Sequence, residues 1–210
     1  MLTATEALAR LQEGNRRFTA NQATSDSFDQ ARRAALVARQ EPFAIILGCS
    51  DSRVPAELVF DQGFGDLFVI RVAGNIVAPS QVGSVEFAAS RFGTRLVVVL
   101  GHSGCGAITA TLEEITGHAT SQSRNLRSIV DRVRPSVETL LTRRQDDDED
   151  ALIRDAVRAN VRASVHQLRH GSELLERMTL KDGLVVVGAE YSLETGVVTF
   201  LDNVHGGSVQ

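Results

Sequence analysis

Two short stretches of this 210-residue chain hold most of the residue types that could do metal or proton chemistry. "ILGCSDSRVPAE", from Ile46 to Glu57, sets Cys49, Asp51 and Arg53 behind an apolar run, and "VVVLGHSGCGA", from Val97 to Ala107, sets His102 and Cys105 behind another. Zinc takes cysteine sulfur, histidine nitrogen and carboxylate oxygen, four ligands at a time in a tetrahedron. Cys49, Asp51, His102 and Cys105 supply such a set. In extended chain, residues two apart point the same way, so the Cys49 thiolate and the Asp51 carboxylate can face one centre. His102 and Cys105 form a second compact pair, and the pairs converge if the strands ahead of them are neighbours in a sheet. The chain has two cysteines, too few for a disulfide-stapled scaffold and too far apart for a C-x-x-C redox motif. The plainer alternative is two buried, unreactive thiols.

The fourth ligand decides the chemistry. Asp51 kept on the metal closes a structural site, which would make the chain a zinc-stabilised binding module. Asp51 released opens a position for water, whose pKa zinc lowers to about 7. Arg53 can bind a carboxylate through two hydrogen bonds and so competes with the metal for Asp51. A structural site needs no such competitor, and Arg53 therefore favours catalysis. Gly101, Gly104 and Gly106 surround the second pair. They would let backbone approach a small ligand or take positive φ, or they serve a tight strand-to-helix turn. Backbone N–H groups at the start of "AITATLEEI" would favour an anion such as bicarbonate.

These residues need elements to hold them. "FAIILG" ahead of Cys49, "LFVIRVAG" from Leu67, "RLVVVLG" from Arg95 and "GLVVVGAEY" from Gly183 are continuous apolar runs. That pattern predicts parallel strands covered on both faces. "GVVTFLD" from Gly196 is a fifth, edge candidate. Thr3 and Glu6 have capping-box spacing ahead of a helix carrying Leu8, Leu11 and Phe18, and a second helix is predicted from about Phe28 to Ala38. "SQVGSVEFAASRFG" reads as a helix with Val82, Val85 and Phe87 among its apolar positions. Long amphipathic helices follow, one with Val133 and Val137 and one with Val157, Val161 and Val165, separated by the acidic run Asp146 to Asp150, read as an exposed loop. The expectation is an α/β fold: about four parallel strands plus one edge strand flanked by helices, one domain over residues 1–210, with 1–40 as an N-terminal helical arm. In such folds sites form beyond the carboxyl ends of the strands.

Composition narrows the partners. With 43% hydrophobic and 23% charged residues the chain can bury a core, and its net charge of −4 with scattered basic residues predicts no nucleic acid partner. No apolar run reaches the roughly 18 residues of a membrane span and no signal-peptide pattern opens the chain, so a cytoplasmic location without membrane contact is expected.

"CSDSR" from Cys49 and "GHSGCGA" from Gly101, supported by "EALARLQEGNRRF" at Glu6, "FDQGFGDLFVIRVAGN" at Phe60 and "GAEYSLETG" at Gly188, resemble the β-class carbonic anhydrases of bacterial type over nearly the whole chain. The resemblance implies reversible hydration of carbon dioxide to bicarbonate and a proton by zinc-bound hydroxide, with one Zn2+ per subunit. Cys49, His102 and Cys105 match the permanent ligands, and Asp51 and Arg53 match the catalytic dyad, in which the aspartate of some members leaves zinc for the arginine as pH rises. Gln40 falls where some members place a substrate-binding glutamine, Phe68 matches an apolar pocket residue, and Gly104 joins them as a substrate-side candidate. The family builds its site at a dimer interface, which implies a homodimer or homotetramer with the N-terminal helices exchanged. Members with a noncatalytic bicarbonate site use a tryptophan, an arginine and a tyrosine. Arg71 and Tyr191 match, but Ile46 stands at the tryptophan's place and the chain has no tryptophan, so that allostery is expected to be weak or absent. A relative acting on carbon disulfide or carbonyl sulfide could share the same ligands. His118, His166, His170 and His205 are candidate proton carriers.

Overall fold

The chain's structure, a computed structural model, describes residues 2–24, 29–119, 123–143 and 148–201. Its valine- and isoleucine-rich runs become β1 (Ala44–Gly48), β2 (Leu67–Arg71), β3 (Leu96–His102) and β4 (Val185–Tyr191), all parallel, and β5 (Val198–Phe200) pairs antiparallel with β4 at one edge. The order is β2-β1-β3-β4-β5. Every residue of β1 and β3 is buried, which explains runs with no polar alternation. From β1 the chain moves to β2 on one side, then crosses to β3 on the other. That reversal leaves a crevice beyond the carboxyl ends of β1 and β3, the usual place for a site in open α/β sheets. Gly48 pairs with Leu100, so Cys49 and His102 leave adjacent strands at almost the same level.

Helices cover both faces. α1 (Ala4–Thr19) and the short α3 (Ala56–Val59) pack on the face carrying Ile46, Val98 and Leu100. α4 (Pro79–Arg91), α7 (Glu149–His170) and α8 (Glu173–Lys181) cover the face carrying Ile45, Leu47 and Val99. α5 (Gly106–Ile115) and α6 (Arg124–Arg143) join α7 in a third cluster that includes Cys49 and Cys105. Among the described residues no helix is long and apolar enough to cross a membrane.

Four expectations change. α1, expected as an arm exchanged between subunits, lies on its own sheet: Ala7 and Leu11 are fully buried. Asn15 fixes it, its Nδ2 donating to Val59 O and Gly196 O and its Oδ1 accepting from Val198 N. α2 is only Gln30–Ala35. It buries none of its residues, so no packing holds a further turn; Phe28 lies outside the described residues. The acidic run is in part a helix start. Asp148 caps α7 by accepting from Ala151 N, and Glu149 and Asp150 fill its first turn, where the helix dipole favours acids; Asp146 and Asp147 lie outside the described residues. Finally, Phe87 is 54% exposed on α4, because Val85, Ala88 and Ala89 form the face that meets the sheet.

Candidate metal centre

Cys49 follows β1, His102 ends β3 and Cys105 precedes α5 as its cap residue. Each offers a ligand atom, and these atoms all lie within 4.8 Å of one another with all three residues buried. The two sulfurs stand 4.0 Å apart, about twice a disulfide bond. Both thiols are free. His102 Nδ1 lies 2.9 Å from the Ser103 carbonyl. Donation there puts the proton on Nδ1 and leaves the Nε2 lone pair for a ligand. Nε2 is buried and finds no hydrogen-bond partner among the described residues. A buried nitrogen acceptor left open beside two thiols is what a metal would satisfy, and the two-sulfur, one-nitrogen donor set fits zinc.

Asp51 is the fourth group. Its Oδ2 is 3.8 Å from His102 Nε2, yet the carboxylate is held elsewhere. Arg53 Nε donates to Oδ1 at 2.9 Å and Nη2 to Oδ2 at 2.8 Å, and the Arg53 backbone N–H donates to Oδ1 at 3.0 Å. The fork geometry argued from spacing is therefore present. Arg53 stands at the surface with its side chain 57% exposed, and Asp51 lies between it and the buried cluster at 17%.

The electrostatics follow from these contacts. The Arg53 fork, with the Arg53 N–H and the His102 charge, holds the Asp51 carboxyl well below the usual carboxylate range against a modest burial cost. A hydrogen bond from Cys105, with nearby His102 and the Gly74 and Asp51 backbone, pulls the Cys49 thiol down to about 4 against the cost of burial. The same bond, together with burial and the Cys49 charge, pushes Cys105 up, while the Ile108 and Ala107 N–H groups at the start of α5 pull the other way. Burial opposes a charge on His102, but the nearby Cys49 sulfur, the Ser103 carbonyl and the Asp51 charge raise it overall. Without metal, Cys49 is thus the first thiol to ionise.

The segment after β2 holds the Cys49 loop, a feature the sequence reading did not find. Arg71 Nε donates to Cys49 O at 3.2 Å and its Nη2 to Asp51 O at 2.7 Å. Val72 N bonds Gly48 O, and Gly74 N donates to Cys49 Sγ at 3.3 Å. The available signal was Arg71 itself, a charge at the end of an otherwise apolar strand.

The glycines divide by role. A Cβ on Gly101 would stand 2.5 Å from Val161 Cγ2, so this glycine admits α7 to the sheet rather than a ligand to the site. Gly104 adopts φ +61 and turns the chain between His102 and Cys105. Gly106 begins α5 with nothing within 4 Å of an added Cβ.

Two candidates are not brought to the centre within one chain. Gln40 is exposed and precedes β1, whereas Cys49 follows it, so the length of the strand, about 16 Å, separates them. Phe68 pairs with Ile45 near the start of β1 and packs with Phe87 and Phe92 at centroid distances of 6.3 and 6.1 Å. Of the histidines, His166 and His170 have ring centroids 4.7 Å apart, with the rings tilted by 49°. Arg169 beside them donates to Val186 O, and Val186 pairs with Val97, toward the end of the sheet opposite His102. His118 meets Thr116 after α5, and His205 lies outside the described residues.

The family model described as carbonic anhydrase matches residues 44–198, a span that contains Cys49, Asp51, Arg53, His102 and Cys105. Carbonic anhydrase 2 of Mycobacterium tuberculosis is 39% identical over 194 residues, covering 92% of this chain and 91% of that one. This chain belongs to the β-carbonic anhydrases. The carbonic anhydrase of Mycolicibacterium smegmatis is 38% identical over 90% of this chain and 88% of its own. Among solved structures, a β-carbonic anhydrase of Aspergillus fumigatus superposes with TM-score 0.74 at 24% identity, covering 96% of this chain and 91% of that one, a likeness of fold. As a β-carbonic anhydrase the chain is an enzyme, and the general reaction of its family is the hydration of carbon dioxide.

Proposed function

We propose that this carbonic anhydrase is zinc-dependent: Cys49 Sγ, His102 Nε2 and Cys105 Sγ hold one Zn2+ per subunit, and the Asp51–Arg53 dyad governs the fourth position during reversible hydration of carbon dioxide. The observation that carries the reading is the Asp51 carboxylate, 3.8 Å from the open His102 Nε2 yet bound through both oxygens by Arg53. When bound, zinc supplies a Lewis acid that brings the pKa of a coordinated water to about 7.

The chain's own residues supply the rest. Arg53 keeps Asp51 ionised and turned away from the ligand cluster, so the fourth position stays open. Asp51, an acceptor at both oxygens, takes a hydrogen bond from the attacking water and points its lone pair at carbon dioxide. The positive-φ turn at Gly104 supports a backbone approach to the substrate beside Cys105. Arg71 holds the carbonyls of Cys49 and Asp51, and Ile46 is fully buried in β1. Both observations favour the absence of a second, noncatalytic bicarbonate site.

We read the working unit as a homodimer or homotetramer. A structural neighbour at 22% identity and TM-score 0.71 is described as tetrameric. Gln40 and Phe68 stand at the end of the sheet away from their own chain's ligands, which suits a role in a partner's site. The apolar side chains of Leu58 and Phe64, 53% and 39% exposed, support an interface near the start of edge strand β2.

Stopped-flow hydration by zinc-loaded and chelator-stripped protein tests the reading. A rate that follows zinc content, saturating at one metal per chain, is expected; no zinc-dependent rate at any pH from about 7 to 9 would defeat it. Faster turnover of carbon disulfide or carbonyl sulfide in the same samples would move the substrate assignment and keep the metal.

A further inference from the structure

α7 covers the sheet with Val157, Val161, Val165 and Leu168, but two of its buried positions are polar: Asn160 is 2% and Ser164 4% exposed. Four residues apart, they share one side of the helix. Their partners lie in the turn after β2. Asn160 Nδ2 donates to Gly74 O at 2.8 Å and Ser164 Oγ to Asn75 O at 3.2 Å. That turn has an unusual backbone, with φ +69 at Gly74 and +43 at Asn75, a region that L residues enter only when their surroundings hold them there. A Cβ on Gly74 would stand 3.1 Å from Ala107 Cβ in α5, so the turn is wedged against the helix that Cys105 caps. Gly74 N–H in turn donates to Cys49 Sγ at 3.3 Å. Gly74 is thus gripped at its carbonyl by α7 while its amide faces a ligand sulfur.

We infer that Asn160, assisted by Ser164, is a positioning residue for the metal centre, fixing through the Gly74–Asn75 turn the N–H···S bond that Cys49 receives; the inference rests on the zinc reading above. An N–H donor on a ligand thiolate draws off part of its charge and fixes its orientation, and hydrogen bonds of this outer kind typically change metal affinity by about 10- to 100-fold. Valine or leucine at residue 160 would satisfy the apolar pattern of α7 equally well, so the amide is explained by the turn it holds.

Asn160→Leu keeps the branching of asparagine at Cγ and removes the donor. Val165→Ala, in the same helix and against the sheet, is the control for lost packing alone. Three readouts separate them: thermal unfolding of the metal-free chains, zinc loss to a chromogenic chelator, and the near-ultraviolet sulfur-to-cobalt band of Co2+-loaded protein. The inference predicts zinc loss roughly tenfold faster in Asn160→Leu and a cobalt band moved to longer wavelength, because an unbonded sulfur gives up charge more easily. Val165→Ala should lose stability and change neither. If Asn160→Leu does not fold, Ser164→Ala carries the same two predictions at smaller amplitude. Zinc loss and cobalt band unchanged from the parent chain would overturn the inference. A parent chain that takes up no cobalt with a sulfur band would instead overturn the metal reading itself, and this inference with it.

Discussion

In the proposed mechanism Asp51 has two partners, Arg53 and the metal, and the balance between them sets the enzyme's state. The pair with Arg53 lies at the surface on the arginine's side, so it contributes little to folding, and its value lies in where it keeps the carboxylate. Arg53→Ala should therefore leave thermal stability and zinc content nearly unchanged while lowering the hydration rate by about 10- to 100-fold, as metal analysis and stopped-flow would read; a fully active variant would remove the gating role. The pH sense follows from the same contact. A carboxyl held below its usual range is ionised above that range and protonates only when pH falls through its lowered folded value. Asp51 thus stays charged across the working range in the parent chain and titrates at higher pH in Arg53→Ala. The ligands behave in the opposite sense. Cys105 is raised and holds its proton near neutral pH, and His102 is shifted in the same direction, whereas zinc requires both deprotonated. Zinc binding should then release at least the Cys105 proton at neutral pH and tighten as pH rises. Calorimetric titration in buffers of different ionisation enthalpy measures this, and binding without proton release would contradict the assigned ligands.

At the scale of elements, the strands and the convergence of the two ligand pairs were legible because burial on both faces leaves so plain a mark on sequence. The C-x-D and H-x-x-C spacings needed only adjacency of β1 and β3, and the register supplies it. Helix ends and contacts between helix and loop were less legible. α2 and the start of α7 are set by packing and capping that local pattern does not encode, and Phe87 reads as apolar though its helix faces inward elsewhere. The polar positions Asn160 and Ser164 interrupt the apolar face of α7, but only the fold identifies their partners in a turn 86 and 89 residues earlier in sequence. Gly101 is another such case. Its sequence context suited either room for a ligand or a tight strand-to-helix turn, while the space is taken by Val161. Gly101→Ala should force α7 outward and destabilise the chain by about 1–3 kcal/mol, read by chemical denaturation; an unchanged midpoint would show that the helix can move aside freely.

At the scale of the whole molecule, the substrate side of the site is where one chain is least informative. Gln40 and Phe68 were assigned by resemblance, and their own chain carries them to the far end of β1 and β2. A complement provided by a second subunit leaves no periodic trace in the first. If each site takes Gln40 from the partner, co-expressed Cys105→Ala and Gln40→Ala chains will form mixed dimers with both lesions in one site and neither in the other. Activity of about a quarter of the parent value, beyond the sum of the two variants, is expected; no recovery would return Gln40 to its own chain or to no role. All of this depends on one arrangement: three permanent ligands, with Asp51 kept off the metal by Arg53. Diffraction from zinc-soaked crystals near pH 8.5, where protons compete weakly for the ligands, tests it most directly. One anomalous peak bound by Cys49 Sγ, His102 Nε2 and Cys105 Sγ, with Asp51 still on Arg53, is the predicted result. Asp51 on the metal at that pH, or a peak bound by other residues, would contradict it.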